Sequence, residues 1–312
     1  MEHSNIKDYL LLHFIVFVWG FTAVLGKLIT LPAVEIVFYR TLVASVTMLA
    51  LLYYRKQLTP LLKREKLKLL GAGFLIGFHW ILFFASSEVS TASVTLAGVS
   101  TCAFWTSLLD PLVNKRKVAW FEVGLGLIVL AGLYVIFSFE FNHFWGLIMA
   151  VGAAIAASFF TIFNGQFVGK HNASVITFYE MVGACVFTVL FFPFYALFFA
   201  EGGQLHLIGT PMDAVWLLIL SLVCTVYAYT ISVKVMRTVT PFMMNLTVNM
   251  EPIYGIALAV VILGDEEKMS PQFYLGTAMI LFSVVCYPLI KSIRKRKEKR
   301  KAKKAVEVTL NS

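Results

Sequence analysis

Long apolar stretches alternate with short polar loops along the whole chain. A helix needs about 20 mostly apolar residues to cross a hydrocarbon core about 30 Å thick. Ten stretches reach this length, and charged residues are concentrated between them. We place the predicted spans at 10–29, 33–54, 67–86, 91–110, 120–138, 144–165, 174–199, 214–234, 241–263 and 271–290. The pattern therefore predicts an all-α integral membrane protein with ten transmembrane helices.

Arginine and lysine occur mainly in every second loop, which predicts the orientation of the chain. Of the 26 basic residues, all except Lys27, Arg40 and Lys268 fall in loops or tails on one side of the ten-span arrangement. Positively charged loops stay on the cytoplasmic side. Both termini are therefore predicted to be cytoplasmic, in a multi-pass protein of the cell (inner) membrane. The formal charge of +9 then reflects topology.

Composition leaves little room for another class of protein. With 59% hydrophobic and 14% charged residues, a soluble domain could not bury the apolar surface. The basic tail at 291–312 is predicted to contact anionic lipid head groups, and no nucleic-acid partner is expected. The four cysteines lie inside predicted spans without metal-ligand spacing, so we expect packing thiols and no metal site.

The two halves of the chain resemble each other. The segment VFYRTLVAS at 37–45 is similar to TFYEMVGAC at 177–185, and both lie early in a predicted span. We therefore predict one five-helix repeat over 10–138 and a second over 144–290. Five crossings is an odd number, so tandem repeats enter the membrane from opposite sides. Inverted repeats of this kind surround a central cavity and place the substrate path near the midplane.

Several short motifs in this frame resemble those of the EamA-type family of the drug/metabolite transporter superfamily. They are Trp19-Gly20 with Lys27, Glu35-x-x-Phe38-Tyr39-Arg40, Glu251-Pro252 and Gly264-Asp265-Glu266. The resemblance extends to about residue 290. It implies two EamA repeats and the export or exchange of small metabolites, amino acids prominent among them. The chain departs from the family at 96–117, where members usually carry a mid-helix proline and a Gly-Glu pair.

Polar and aromatic residues at similar depth suggest a substrate site. At 1.5 Å per residue, Trp19, His79, Glu251 and the Ser100-Thr101 pair lie about 14 to 18 Å from the cytoplasmic edge. Such a mixture suits a small polar or zwitterionic solute. The full candidate substrate-binding set is Trp19, His79, Trp80, Ser100, Thr101, Trp105, Tyr227, Asn245, Asn249, Glu251 and Tyr254.

Three residues are candidates for gating or coupling: Arg40, Glu251 and Pro252. A charge in mid-membrane costs at least a few kcal/mol, so Glu251 is expected to face a cavity, find a partner or carry a proton. Pro252 cannot donate to the carbonyl of Val248 and leaves it free. A kinked helix with a hydrogen-bonded glutamate is the alternative. For Arg40, the alternative is a structural partner or snorkelling of the side chain to the external interface.

Helical geometry leaves open which face of the ninth span lines the cavity. Asn245, Asn249 and Pro252 share one face of a continuous helix, while Glu251 and Tyr254 share another. Arg40 and Glu180 occupy matching positions in the two halves. Their depths differ by about 11 Å in a 30 Å core, so we expect no direct ion pair.

The sequence favours a secondary transporter that exports or exchanges a small metabolite, amino acids first, by alternating access. A nucleotide-sugar or lipid-precursor carrier of the same superfamily is the alternative. An intramembrane enzyme is disfavoured because no nucleophile elbow or HExxH motif occurs in the spans. We expect no cofactor. The expected partners are a small-molecule substrate, membrane lipids and protons as a candidate coupling ion, in a monomer or weak homodimer.

Overall fold

The computed structural model describes residues 6–283 except 140, 201–202 and 265–269, together with 286, 289–290 and 293–294. Within these residues the chain is helical and has no strand, which confirms the all-α prediction. The helices are α1 (Ile6–Leu28), α2 (Ala33–Tyr54), α3 (Lys63–Val89), α4 (Ala92–Val99), α5 (Cys102–Asn114), α6 (Trp120–Phe139), α7 (Phe144–Phe167), α8 (Ala173–Phe198), α9 (Pro211–Ile219), α10 (Ala228–Val235), α11 (Pro241–Val248), α12 (Glu251–Leu263) and α13 (271–283).

Eight helical segments among the described residues are long and apolar enough to cross a membrane. They correspond to eight of the ten predicted spans. The predicted span at 120–138 coincides with α6, in which the described apolar stretch, Trp120–Gly132, is shorter than those eight. The span at 271–290 is described only in part, and the basic tail at 291–312 lies outside the described residues apart from 293 and 294. The count of ten and the cytoplasmic termini remain predictions.

Two of the spans are broken helices with the same construction. The first consists of α4 with 8 residues and α5 with 13 residues, separated by Ser100 and Thr101. The second consists of α11 with 8 residues and α12 with 13 residues, separated by Asn249 and Met250. Because α4 contacts α12 while α5 contacts α11, the two broken helices run in opposite directions. Their breaks therefore lie side by side near the middle of the molecule.

Different local chemistry produces the two breaks. In the second, Pro252 lies in the first turn of α12, where a missing N–H costs nothing. In the first there is no proline at the break. Instead the hydroxyls of Ser100 and Thr101 donate to the carbonyls of Ala97 and Gly98, at 2.6 and 2.8 Å. Side-chain bonds of this kind compete with the regular helical pattern. The departure from the family motif at 96–117 therefore still yields a broken helix.

Small residues bring α3 and α8 into backbone contact. A Cβ placed on Gly73 would lie 2.8 Å from the Cα of Gly183, and one on Gly77 would lie 3.1 Å from the carbonyl oxygen of Ala184. Lipid tails are as apolar as side chains, so close van der Waals packing of this kind holds membrane helices together. The pair α3 and α8 joins the two halves of the chain.

The helix after α9 widens into a π-helix at Leu220–Tyr227 before α10 begins. The hydroxyl of Thr225 donates to the carbonyl of Leu220, five residues earlier, at 2.9 Å. π-Helical turns leave backbone groups outside the regular ladder and often occur at functional sites. Here the segment packs against α1 and α2, and it supplies partners to residues on both helices.

Candidate functional site

A cavity of about 80 Å³ lies between the two halves, beside the second helix break. Six of the sequence-predicted residues line it: Trp19, Arg40, His79, Trp80, Asn245 and Glu251. Further lining residues are Thr22, Phe83, Val99, Cys102, Ala157, Phe160, Thr161, Tyr229, Met236, Met244 and Val248. Aromatic and aliphatic side chains form most of the wall, with a few polar groups at fixed places. This is the usual composition of a small-molecule site.

Arg40 is a buried cation with no carboxylate partner among the described residues. Its side chain is 2% exposed, and its Nε donates to the hydroxyl of Thr225 at 2.6 Å. The guanidinium carbon lies 3.8 Å from the centre of the Trp80 ring. Nη1 is buried and has no hydrogen-bond partner in the described part of the chain. The arginine is thus held by a hydroxyl and an aromatic ring, and one donor remains open.

Glu251 is the anionic counterpart in the same cavity. It is 7% exposed, lines the cavity and makes no hydrogen bond to any other described side chain or backbone group. It interacts electrostatically with Arg40, yet the two do not form an ion pair. Of the sequence-based alternatives, the structure has the kink, at Asn249 and Met250, but Glu251 lines the cavity and has no hydrogen-bond partner among the described residues.

Trp19 and His79 use backbone carbonyls as anchors. The indole Nε1 of Trp19 donates to the carbonyl of Cys224 in the π-helix at 3.0 Å. The Nδ1 of His79 donates to the carbonyl of Ala153 at 2.8 Å, which fixes the proton on that nitrogen because a carbonyl can only accept. Both aromatic rings are therefore held in place at the cavity wall.

Asn245 joins three helices beside the cavity. Its Nδ2 donates to the hydroxyl of Thr106 on α5 at 2.7 Å, and its Oδ1 accepts from Thr161 on α7 at 3.1 Å. Asn245 and Glu251 both line the cavity although a continuous helix would place them on different faces. The break at Asn249 changes the phase of the helix, so residues from both predicted faces line the cavity.

Other predicted residues lie outside the cavity wall. Ser100 and Thr101 are buried at the first break and are occupied by their own backbone bonds. Trp105 has a buried Nε1 without a partner among the described residues. Asn249 is fully buried at the second break, and neither atom of its amide meets a described partner. These groups are close in sequence to cavity residues but do not contribute to its wall.

Tyr227, Tyr254 and Pro252 are also placed elsewhere. Tyr227 is 47% exposed and lines a separate groove at the end of α2. Tyr254 packs on α1, with its ring centre 5.5 Å from that of Phe17. Pro252 lies in the first turn of α12. None of the three lines the cavity, because depth along a span does not determine which way a side chain points around the helix axis.

Sequence reasoning missed Tyr229 and the buried polar group behind it. The Tyr229 hydroxyl donates to Oε2 of Glu180 at 3.0 Å and accepts from Nδ2 of Asn164 at 2.8 Å. Tyr229 lines the cavity, where its ring packs edge-on against Trp80. Glu180 forms no ion pair with Arg40, as expected. The sequence shows an intramembrane glutamate that needs a partner. It does not show that Tyr229 is this partner, because the two residues are far apart along the chain.

One relative is an uncharacterized transporter from Haemophilus influenzae. The two sequences are 28% identical over 180 residues, which is 54% of this chain and 58% of that protein. The chain thus spans little more than half the length of this relative. A solved crystal structure is similar to this chain, with a TM-score of 0.69 and 14% sequence identity. The match covers 92% of this chain and 99% of the chain in that structure. At this identity the likeness concerns the fold alone.

A family model covers nearly the whole chain. The model of the EamA-like transporter family matches residues 6–138 and again residues 144–287. The match agrees with the resemblance that the sequence motifs indicate, and the helices it spans include all those that build the cavity. The chain therefore belongs to the EamA-like transporter family.

Proposed function

We propose that this membrane transporter is a secondary carrier that exports or exchanges amino acids by alternating access, without enzymatic activity. The observation that carries the proposal is the pair of opposite charges in one cavity: Arg40, with an open Nη1 donor, and Glu251, without a hydrogen-bonded partner among the described residues. An amino acid is a zwitterion, and its two charged groups match this arrangement.

The proposed binding mode follows from the chemistry of each group. The carboxylate of the solute accepts from Nη1 of Arg40, and its ammonium group faces Glu251. Trp19, His79 and Trp80 provide aromatic surface around the solute, which favours aromatic amino acids. Bonds of this kind between charged groups are about twice as strong as neutral ones. Both charges of the protein are then compensated by the substrate, which removes the cost of an unpaired charge in the membrane.

Glu251 is also the proposed coupling group. Its carboxylate can be compensated by the ammonium group of the solute or by a proton, and one excludes the other. Competition of this kind exchanges an outward-moving amino acid for an inward-moving proton, because the empty carrier returns with Glu251 protonated. The basic side chains of Arg40 and His79 line the same cavity. Arg40 interacts electrostatically with Glu251, whereas His79 is hydrogen-bonded to the backbone.

The architecture supports alternating access around this site. We interpret 10–138 and 144–290 as two inverted five-helix repeats, in line with the two family matches and with the two broken helices of equal construction that run in opposite directions. Inverted repeats of this kind commonly rock about a site near the midplane. The cavity of about 80 Å³ is much smaller than the roughly 300–1,000 Å³ typical of ligand sites, so substrate binding requires the halves to separate.

The cavity also bears on the alternative of a nucleotide-sugar or lipid-precursor carrier. Such a solute carries phosphate groups, which would call for several cations. Arg40 is the one Arg or Lys side chain that lines this cavity in the described part of the protein. One cation and one carboxylate suit a neutral zwitterion better than a multiply charged anion.

An efflux screen in oriented vesicles tests the proposal. Right-side-out and inverted vesicles containing the protein are loaded with a panel of amino acids, nucleotide sugars and prenyl phosphates, and release is followed with and without a pH gradient. We expect saturable movement of amino acids, aromatic ones especially, and stimulation by a proton gradient directed against them. Transport of phosphate-bearing solutes alone would reject the amino-acid assignment and favour the alternative carrier.

A cell-based assay provides an independent check of direction. Cells that lack the protein should become more sensitive to toxic amino-acid analogues if it exports them. Unchanged sensitivity and unchanged efflux across the panel, with expression of the protein verified in the parent cells, would contradict an export role.

A further inference from the structure

A groove of about 490 Å³ lies on the outside of the helix bundle, apart from the cavity. It runs between α2 and α10, and the start of α8 closes one end. Met48 and Leu51 on α2 and Arg55 directly after it follow at helical spacing. On the opposite wall, Tyr227 at the end of the π-helix and Ile231 and Lys234 on α10 do the same. Residues spaced by three or four lie on one helix face. Each wall therefore carries an apolar stripe that ends in a basic residue.

The basic residues of the groove have no acidic partners. Arg55, Lys234 and Arg237 line it, and no Asp or Glu of the described chain does. None of the three forms an ion pair within that part of the protein, and Arg237 donates only to the carbonyl of His171 at 3.3 Å. The N-terminus of α8 also opens here, and it adds partial positive charge. The site is thus strongly electropositive at the end where the basic loops lie.

We propose that this groove binds an anionic phospholipid. The head-group phosphate would lie between Arg55 and Lys234, and an acyl chain would lie along Leu51 and Ile231. Basic pockets between transmembrane helices are known to bind anionic head groups. The apolar side chains of Met48, Leu51 and Ile231 beside the basic end favour a lipid over a soluble anion, because a free phosphate would leave this apolar surface without an occupant.

The groove and the transport cavity lie on either side of the π-helix at Leu220–Tyr227. One face of the π-helix is hydrogen-bonded to residues that line the cavity. The Thr225 hydroxyl accepts from Arg40, and the Cys224 carbonyl accepts from Trp19. The adjacent Val226 and Tyr227 line the groove. A lipid in the groove therefore packs against the segment that positions Arg40.

Lipid binding is tested with the purified full-length protein in a neutral detergent. The melting temperature is measured while phosphatidylglycerol, phosphatidylcholine or glycerol 3-phosphate is added, and native mass spectrometry counts the lipids that remain bound. We expect phosphatidylglycerol to raise the melting temperature and to stay bound. Phosphatidylcholine and glycerol 3-phosphate should do so much less, since each lacks one of the two features that the groove recognises.

Matched variants locate the site. The double variant Arg55→Gln, Lys234→Gln should weaken phosphatidylglycerol binding by about 25-fold, at roughly fivefold for each basic residue near an anionic surface. Ile231→Trp fills the space beside the apolar surface while every charge is kept, and it should also abolish the stabilisation. The control double variant Lys63→Gln, Lys68→Gln removes two exposed basic residues of α3 that do not line the groove, and it should bind lipid like the wild type.

Each opposing outcome overturns the proposal. Equal loss in the Lys63→Gln, Lys68→Gln control would mean that binding reflects general surface charge. Stabilisation by glycerol 3-phosphate to the same extent as by phosphatidylglycerol would mean a soluble anion site without an acyl chain. Unchanged binding in both Ile231→Trp and the Arg55→Gln, Lys234→Gln variant would place the lipid elsewhere.

Discussion

The guanidinium carbon of Arg40 lies 3.8 Å from the centre of the Trp80 ring. A desolvated contact of this kind contributes about 2 kcal/mol. It helps to explain how a buried arginine persists without an ion-paired carboxylate among the described residues. Because an aromatic face and the Thr225 hydroxyl hold the cation, its Nη1 stays available. The arrangement presents a fixed positive charge to the cavity.

Substitution of Glu251 by glutamine should remove the pH dependence of transport while the protein still folds. Glutamine has nearly the same shape but cannot bind a proton or compensate an ammonium group by charge. In wild-type proteoliposomes the apparent KM should rise as the pH falls, because protons compete with the substrate for the carboxylate. We expect Glu251→Gln to flatten this profile and to abolish proton movement measured with an enclosed pH-sensitive dye.

Glu251→Ala serves as the comparison for this variant. It should also disturb packing beside Pro252 and lower the melting temperature, unlike the glutamine variant. A Glu251→Gln protein with wild-type rates, a wild-type pH profile and intact proton movement would exclude Glu251 as the coupling group.

Asn245 and Asn249 form a matched pair for stability. Both are buried, at 3% and 0% exposure. Asn245 bonds to two threonines, whereas the amide of Asn249 meets no described partner. Loss of a buried hydrogen-bond partner costs about 1–3 kcal/mol, so Asn245→Ala should lower stability by this amount. Asn249→Ala should cost less, as measured by thermal unfolding in one detergent. A larger loss for Asn249→Ala would contradict the assigned hydrogen bonds.

Gly73 and Gly71 test the contact between α3 and α8. A Cβ on Gly73 would lie 2.8 Å from the Cα of Gly183, while one on Gly71 would meet nothing within 4 Å. Gly73→Ala should therefore reduce the yield of monodisperse protein on size-exclusion chromatography. Gly71→Ala should be tolerated or slightly stabilising, because alanine favours a helix over glycine by about 1 kcal/mol. Equal behaviour of the two variants would refute the close approach of these helices.

Cysteine labelling tests the predicted orientation. In a background where the four native cysteines are replaced, a cysteine at position 142 should react with an impermeant thiol reagent on intact cells. Cysteines at positions 60 and 300 should react only after lysis. The expectation follows from the basic residues in alternate loops. Labelling of position 300 on intact cells would reverse the orientation.

The sequence predicted the membrane class, eight of the spans and six of the residues that line the cavity. Hydropathy identifies spans because the bilayer demands long apolar helices with internally satisfied backbones. Depth along each span then brought Trp19, His79 and Glu251 into one layer, and in the structure all three line the same cavity. The depth of a residue depends only on the rise per residue, so a local change in helical phase hardly alters the predicted depth.

Rotational phase could not be predicted as well as depth. The π-helix at Leu220–Tyr227 turns Tyr227 outward and leaves Tyr229 at the cavity. The break at Asn249 likewise brings Asn245 and Glu251 to the same wall. Regular helical periodicity fails at such points, and neither feature has a clear sequence signal apart from Pro252. The first break, at Ser100 and Thr101, could not be predicted from a proline because none lies there.

In the proposed binding mode, Arg40 recognises the carboxylate of an amino-acid substrate. This role is tested by exchange of radiolabelled phenylalanine and of phenylalaninamide, which lacks the carboxylate, in proteoliposomes of the wild type and Arg40→Gln. Hydrogen bonds to charged groups contribute about 1.5–3 kcal/mol. We therefore expect Arg40→Gln to lower phenylalanine exchange by about 10- to 100-fold and to leave the slower exchange of the amide nearly unchanged. Equal exchange of phenylalanine by folded wild-type and Arg40→Gln protein would mean that Arg40 does not bind the substrate carboxylate.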